Sequence, residues 1–196
     1  MTCGRIIVVQ IVGIVGKCRS GKDTLADGLV ARYGAIKIGF AMPIIQEVAE
    51  ILGISPEQIE ADKEAYRRPL QDYGDKLRRE FPNHWIDKLE SRINAHLLDD
   101  PQARIVIPGI RLLAEANWLE NHNAFLVRIL NANCDLPQYD HVTETEQDLI
   151  AVNVSLISLS SEETYGRWAD AVACYVGWTS VIPARRKDVL HDGNRS

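Results

Sequence analysis

The residues best suited to chemistry lie in one segment, Val12-Gly13-Ile14-Val15-Gly16-Lys17-Cys18-Arg19-Ser20-Gly21-Lys22-Asp23-Thr24. Gly16 and Gly21 bracket four residues and Lys22 follows directly, the spacing of a phosphate-binding loop. Glycine lets the backbone curl so that successive N–H groups converge on phosphate oxygens. Lys22 is placed to reach the β- and γ-phosphates of a nucleotide held there. The residue after Lys22 would ordinarily be Ser or Thr, to hold Mg²⁺. Here it is Asp23, with Thr24 one step on, so Asp23 is read as a ligand of the Mg²⁺ shell, directly or through water, and Thr24 as a phosphate contact. The bland alternative is a glycine-rich turn that ends a buried strand.

A phosphate loop needs a strand before it and a helix after it. Ile6-Ile7-Val8-Val9-Gln10-Ile11 leads in with β-branched residues, and strand one is read from Ile6 to Val15, apolar on both faces. A helix from Lys22 to Tyr33, closed by Gly34, follows and adds its positive N-terminal end. Ala35 to Phe40 reads as a second strand, and Ile44 to Leu52 as a helix stopped by Gly53. Ser55-Pro56-Glu57 is an N-cap with proline at the first helical position. His84 to Leu98 is a helix with Trp85, Ile86, Leu89, Ile93 and Leu97 on one stripe. Ala103 to Ile107 is strand three, ended by Pro108-Gly109-Ile110-Arg111, and Leu112 to Asn121 is a helix. Ala124 to Leu130 is strand four, Leu149 to Val152 a short strand five, and a last helix runs from Ser161 to about Tyr175. Strands alternate with helices, which predicts a three-layer α/β/α domain on a five-stranded parallel sheet. Ligands in such sheets bind at the carboxyl ends of the strands. That rule gathers the loop, Phe40, Arg111 and the polar stretch Asn131–Glu146 around one cleft.

Composition narrows the partners. The chain has 196 residues, 46% hydrophobic and 25% charged, with a net charge of −5, which suits a single soluble domain and speaks against general nucleic-acid binding. No apolar run reaches the roughly 18 residues of a membrane span. Met1 to Val15 resembles a signal peptide, but the run feeds straight into the phosphate loop and is read as a strand. Cys3, Cys18, Cys134 and Cys174 form no C-x-x-C pair, which favours reduced thiols and a cytoplasmic setting.

The partner features choose among nucleotide reactions. No Asn-Lys-x-Asp sequence is present to read guanine, and strand three ends in Pro108-Gly109 rather than an acidic pair. From Asp62 to Glu80 the chain is rich in cations, Lys63, Arg67, Arg68, Lys76, Arg78 and Arg79, a run that is as often a solvated helix face. A helical insert at about 41–100 and a polar lid at about 131–147 give the plan of a small-molecule kinase, one domain over 1–196. Guanidinium forks match phosphate oxygens in pairs, so the acceptor is expected to carry a phosphate already. Such an acceptor is ionised and needs no strong general base.

In order along the chain stand Ser20-Gly21-Lys22-Asp23-Thr24, Gly39-Phe40-Ala41-x-Pro43, Arg68-x-x-Gln71-x-x-Gly74-Asp75, Trp85, Ile110-Arg111-x-x-x-Glu115, His141-x-x-Glu144 and Asn153-x-Ser155-Leu156. Together they resemble the phage-type deoxynucleoside monophosphate kinases, a branch of the P-loop nucleoside monophosphate kinase superfamily. The resemblance covers nearly the whole chain. It implies ATP-dependent phosphorylation of deoxynucleoside 5'-monophosphates, with Mg²⁺ accompanying ATP and sitting near Asp23 and Thr24. It implies that Gly16 and Arg19, Ser20, Gly21, Lys22, Asp23 and Thr24 bind ATP, and that Lys17, Arg19 and Lys22 neutralise the transferring group. Acceptor contacts fall to Lys17, Phe40, Lys63, Arg68, Gln71 and Arg111, with His141 and Glu144 on the lid or base-reading side. Glu115 and Asn153 have ordinary readings as a helix salt-bridge partner and a turn residue. The implied partners are ATP and a nucleoside monophosphate, without nucleic acid or membrane, in a cytoplasm that is the host's if the protein is viral. Homodimerisation stays open.

Two departures stand out. The family usually has Asp before the Ile/Val-Arg of strand three, where this chain has Gly109, and no arginine lies between Asn131 and Glu146. Arg19 and Arg128 are then expected to serve in place of lid arginines. Rival readings are a kinase of another phosphorylated acceptor, such as phosphomevalonate or dephospho-coenzyme A, and a non-catalytic nucleotide-binding protein on a decayed kinase scaffold.

Overall fold

The computed structural model describes residues 10–17, 19–131, 146–158 and 162–181. β1 (Ile11–Val15) is apolar or glycine at each position and buried along its length, as a strand covered on both faces must be. It sits at the centre of a five-stranded sheet of order β2-β3-β1-β4-β5, with β2 (Ile36–Lys37), β3 (Ile105–Ile110), β4 (Phe125–Asn131) and β5 (Val154–Ser158). Every ladder is parallel. Because β1 pairs with both β3 and β4, the loop that leaves β1 emerges where neighbouring strands lead apart, the crevice in which such sheets hold ligands.

Helices cover both faces. α1 (Lys22–Tyr33) ends at Gly34, whose left-handed backbone returns its N–H to the carbonyls of Leu29 and Val30. α1 and the last helix, α7 (Glu162–Val176), bury Leu25, Leu29, Ala169 and Val172 against Val12, Ile14 and Val127. On the opposite face, α5 (His84–Asp99) and α6 (Leu113–Asn121) bury Leu89, Ile93 and Leu119 against Val15, Ile105, Ile107 and Ile110. Between β2 and β3 the chain also forms α2 (Ala41–Leu52), α3 (Pro56–Ala61) and α4 (Lys63–Glu80), packed on a small core of Ile45, Val48, Ala49 and Ile59. Ser55 and Gln58 form the capping box that starts α3.

Several boundaries differ from the sequence reading. β2 is short, and α2 begins at Ala41 with Pro43 in its first turn, where proline costs no helical bond. β3 does not stop at Ile107 but continues to Ile110 through a bulge: Ile14 pairs with Pro108 and Val15 with Ile110, so Gly109 is skipped. Strand five was expected at Leu149 to Val152. There the chain instead makes a 3-10 turn, Glu146–Leu149, and β5 follows at Val154–Ser158. Arg128 holds this turn, its guanidinium taking the carbonyls of Gln147, Asp148 and Ile150, the last of them within the expected strand. Strand one before residue 10, the lid's residues 132–145 and the tail from residue 182 lie outside the described residues. No helix among the described residues is long and apolar enough to cross a membrane.

Candidate active site

The phosphate loop is built by backbone geometry. A Cβ at Gly16 would stand 2.6 Å from the Ile129 carbonyl oxygen and 2.8 Å from Ser20 Oγ, so only glycine fits between β4 and the turning loop. Arg19 holds φ +58°, in the left-handed region, and Gly21 follows at φ +96° as the residue before α1. No side chain caps that helix start. The first intrahelical bond is Leu25 N–H to Gly21 O, which leaves the amides of Lys22, Asp23 and Thr24 without helical acceptors. These N–H groups and the positive end of α1 make the loop an anion cradle. Inside it, Ser20 is 2% exposed and its Oγ has no hydrogen-bond partner among the described residues, a cost that a bound phosphate oxygen would remove. Lys22 is 8% exposed, and its ammonium donates to the Lys17 carbonyl oxygen, so an oxygen of the loop itself takes one of the ammonium's bonds.

Asp23 leaves the cradle sideways. Its Oδ1 lies 2.9 Å from Lys37 Nζ, which also bonds Asp27 at 3.0 Å. Desolvation pushes the Asp23 carboxyl up, but Lys37, with Lys22 and Lys63 further off, brings it below its ordinary value, so it is ionised at neutral pH. The residues present fit Mg²⁺ accompanying a nucleotide: an orphaned buried hydroxyl at Ser20, an exposed Thr24 in the first turn and an ionised carboxylate at Asp23.

Beside the loop is a cavity of about 220 Å³ lined by Ala41, Ile44, Ile45, Lys63, Glu64, Arg67, Leu70, Gln71 and Arg111. It joins α2 and α4 to the end of β3. Arg111 connects the two regions, since it follows Ile110, the partner of Val15 just before Gly16. The rotation of α4 decides which side chains enter. Trp85 Nε1 donates to the Gly74 carbonyl at 3.0 Å, and Tyr73 Oη donates to Glu47 at 2.9 Å, locking α4 onto α5 and α2. Lys63, Arg67, Leu70 and Gln71 then share the inner face, at helical spacings of three and four. Of the expected acceptor residues, Lys63, Gln71 and Arg111 are brought together here.

Arg68 is not. Its side chain is 91% exposed and lies 3.9 Å from Asp72 on the outer face, while Arg67, which the sequence reading left among the general cations, faces the cavity with Glu64 at 3.3 Å. Phe40 is also corrected. It is 4% exposed and packs with Ile38, Trp85, Ile107 and Ile110 in the core. Arg128 clamps the 146–150 turn, its guanidinium donating to the carbonyls of Gln147, Asp148 and Ile150. Its position on β4, beside Val15 on β1, gave no hint of that task. Glu115, read as a salt-bridge partner, is buried and accepts the amides of Arg111 at 2.9 Å and Leu112 at 3.2 Å, fixing the turn that presents Arg111. Burial raises its pKa more than those amides, Arg78 and Arg111 lower it. Asn153 is more than a turn residue, since its Oδ1 accepts the Leu126 N–H at 2.6 Å. Gly109 has φ +81°, so this bulge position favours glycine. His141 and Glu144 lie outside the described residues, as does Cys18.

No family model matches the chain. A protein of Acanthamoeba polyphaga mimivirus named "Putative deoxynucleotide monophosphate kinase" is 27% identical over 140 residues, which cover 61% of this chain and 72% of that protein. Shikimate kinase from Aquifex aeolicus superposes with a TM-score of 0.45 at 18% identity, over 85% of this chain and 96% of its own. A gluconokinase from Sinorhizobium meliloti gives 0.49 at 13% identity, over 88% and 95%. Dephospho-CoA kinase from Campylobacter jejuni gives 0.47 at 14% identity, over 86% and 98%. At TM-scores below 0.5 these structural likenesses carry no argument about substrate.

Proposed function

We propose that this chain transfers the terminal phosphoryl group of ATP to a deoxynucleoside 5'-monophosphate, giving ADP and the deoxynucleoside diphosphate. The observation that carries the reading is the pairing of two sites: the phosphate loop after β1, and a cavity walled by Lys63, Arg67 and Arg111, the last of these at the end of the neighbouring strand β3. One site suits a triphosphate. The other suits a second, smaller anion. Ile44, Ile45 and Leu70 offer an apolar wall to a flat base, and Gln71 offers an amide that both donates and accepts. The viral relative's name supports the same acceptor class.

In this reading Gly16 and the amides from Gly21 to Thr24 cradle the donor phosphates, and Lys22 exchanges the Lys17 carbonyl for a phosphate oxygen. Mg²⁺ near Asp23 and Thr24, when bound, supplies charge neutralisation to the donor phosphates. Arg67 and Arg111 hold the acceptor monophosphate, whose oxygen forms the new bond to the γ-phosphorus as the bond to the bridging β–γ oxygen breaks. The acceptor oxygen is already ionised, so no proton has to be removed first. Lys17 and Arg19 neutralise the charge spread over the transferring group. The non-catalytic reading drew its support from Gly109 alone, and a left-handed bulge gives that glycine a structural cause.

A coupled ADP-release assay with Mg²⁺-ATP tests the proposal, run against the four deoxynucleoside monophosphates, their ribose counterparts, phosphomevalonate and dephospho-coenzyme A. Turnover with at least one deoxynucleoside monophosphate, absent in Lys22→Ala, is the expected result. ATP binding without ADP release on any of these deoxynucleotides overturns it.

A further inference from the structure

The short turn Glu146–Leu149 is held by the start of α6, by Arg128 of β4 and by the phosphate loop. Glu146 accepts the Leu113 N–H at 2.9 Å, at the start of α6 beyond β3. Arg128 of β4 donates to the carbonyls of Gln147, Asp148 and Ile150. Gln147 and Ile150 are buried. This turn meets the phosphate loop through Asp148, whose Oδ2 lies 3.0 Å from Lys17 Nζ.

We propose that Asp148 is a positioning residue whose carboxylate fixes the Lys17 ammonium at the mouth of the phosphate loop. The role given to Lys17 rests on the kinase reading above. Lys17 sits on a flexible four-carbon stem, and its side chain is 46% exposed. An unheld lysine there would spend most of its time in water. Asp148 is 53% exposed, so its carboxylate is open to solvent, yet its backbone is pinned by Arg128 and by the flanking buried residues. A mobile cation is thus tethered to a fixed anion. Such an exposed pair adds little to folding. Its effect falls on geometry, because a transferring phosphoryl group gains from a cation already in place. The carboxylate also competes with the nucleotide for Lys17 and repels its phosphates. It therefore weakens ATP binding while aiding transfer.

The test is a double-mutant cycle of Asp148→Asn and Lys17→Ala, with Asp148→Glu as the conservative variant. kcat is measured by ADP release and ATP affinity by calorimetry. Asp148→Asn is expected to lower kcat about tenfold and to tighten ATP about threefold, with Asp148→Glu recovering most of kcat. In the Lys17→Ala background the same substitution is expected to change either quantity by less than about twofold. Equal effects with and without Lys17, an unchanged kcat, or a loss of ATP affinity and thermal stability together would overturn the role. If the wild-type chain turns over no nucleotide, the kinase reading fails by itself. The calorimetric arm still decides the tether, since Lys17-dependent tightening of ATP supports it and Lys17-independent tightening, or none, removes it.

Discussion

The phosphate loop and the cavity between α2 and α4 have opposite origins. The loop is written in consecutive residues: Gly16, Gly21 and Lys22 lie on the turn from β1 into α1, and their conformations follow from glycine backbone freedom and one helix start. The cavity is assembled from α2, α4 and the end of β3, which lie far apart in sequence, and its lining depends on how α4 is rotated. Function that sits on a local turn can be read from spacing. Function on a helix face depends on what the other faces must do, and in α4 those tasks are the seat of Gly74 under Trp85 and the Tyr73–Glu47 bond.

The largest expected effect belongs to the loop. Lys22→Ala should lower kcat by about 10³-fold with the fold retained, since phosphoryl transfer depends on charges placed beforehand. A kcat within tenfold of wild type would take the donor phosphates away from the loop. Next comes the core beneath the cavity. Phe40→Ala should cost about 3–4 kcal/mol in denaturant unfolding, the range for emptying a buried aromatic site. Phe40→Leu should fold with an acceptor KM close to wild type, and a large rise in that KM would restore Phe40 to the acceptor site. The two faces of α4 should then separate. Arg67→Ala should lower kcat/KM for the acceptor about 30-fold, the loss of charged hydrogen bonds, and Arg68→Ala should change it by less than about twofold. The reverse order would mean that α4 turns its other face inward.

The smallest effect concerns Glu115 under the cavity. Burial holds its folded pKa above the ordinary 4.5, so the folded state binds the extra proton. Stability therefore falls as pH rises from 4.5 through the folded value. Glu115→Gln should flatten that decline in denaturant titrations at stepped pH. A decline of the same slope in the variant would assign it to another group.

Much of the fold was legible because its signals are local. The glycine stops at Gly34 and Gly53, the Ser55 cap and the buried run of β1 all stand where the residues put them. What escaped was set at a distance. Leu149 to Val152 has the apolar character of a strand, but Arg128, nineteen to twenty-two residues earlier, captures the carbonyls on either side of Leu149. The true β5, Val154–Ser158, turns Val154 and Leu156 inward and leaves Ser155 and Ile157 exposed, but Ile157 beside Leu156 hides that period in the sequence. Phe40 stands beside the cleft in sequence but turns into the core, a choice made by Ile38, Trp85 and Ile110. Arg67 and Arg68 both stand at helical spacing from Gln71, and only the seating of α4 by Trp85 and Tyr73 shows that Arg67 is the one that turns inward. In Gly109 the sequence shows a missing acid, while only the pairing of Val15 with Ile110 shows the bulge that explains it.

The claim that loop and cavity form one site is tested most directly by a bridged ligand. Adenosine joined through five phosphates to each deoxynucleoside spans donor and acceptor positions in one molecule. Calorimetry should find at least one such compound binding about 10²-fold or more tighter than ATP, because the second half binds without a second loss of freedom. Arg67→Ala and Lys22→Ala should each remove that advantage. A bridged compound that binds no better than ATP, or whose affinity ignores Arg67, would place the acceptor somewhere other than this cavity.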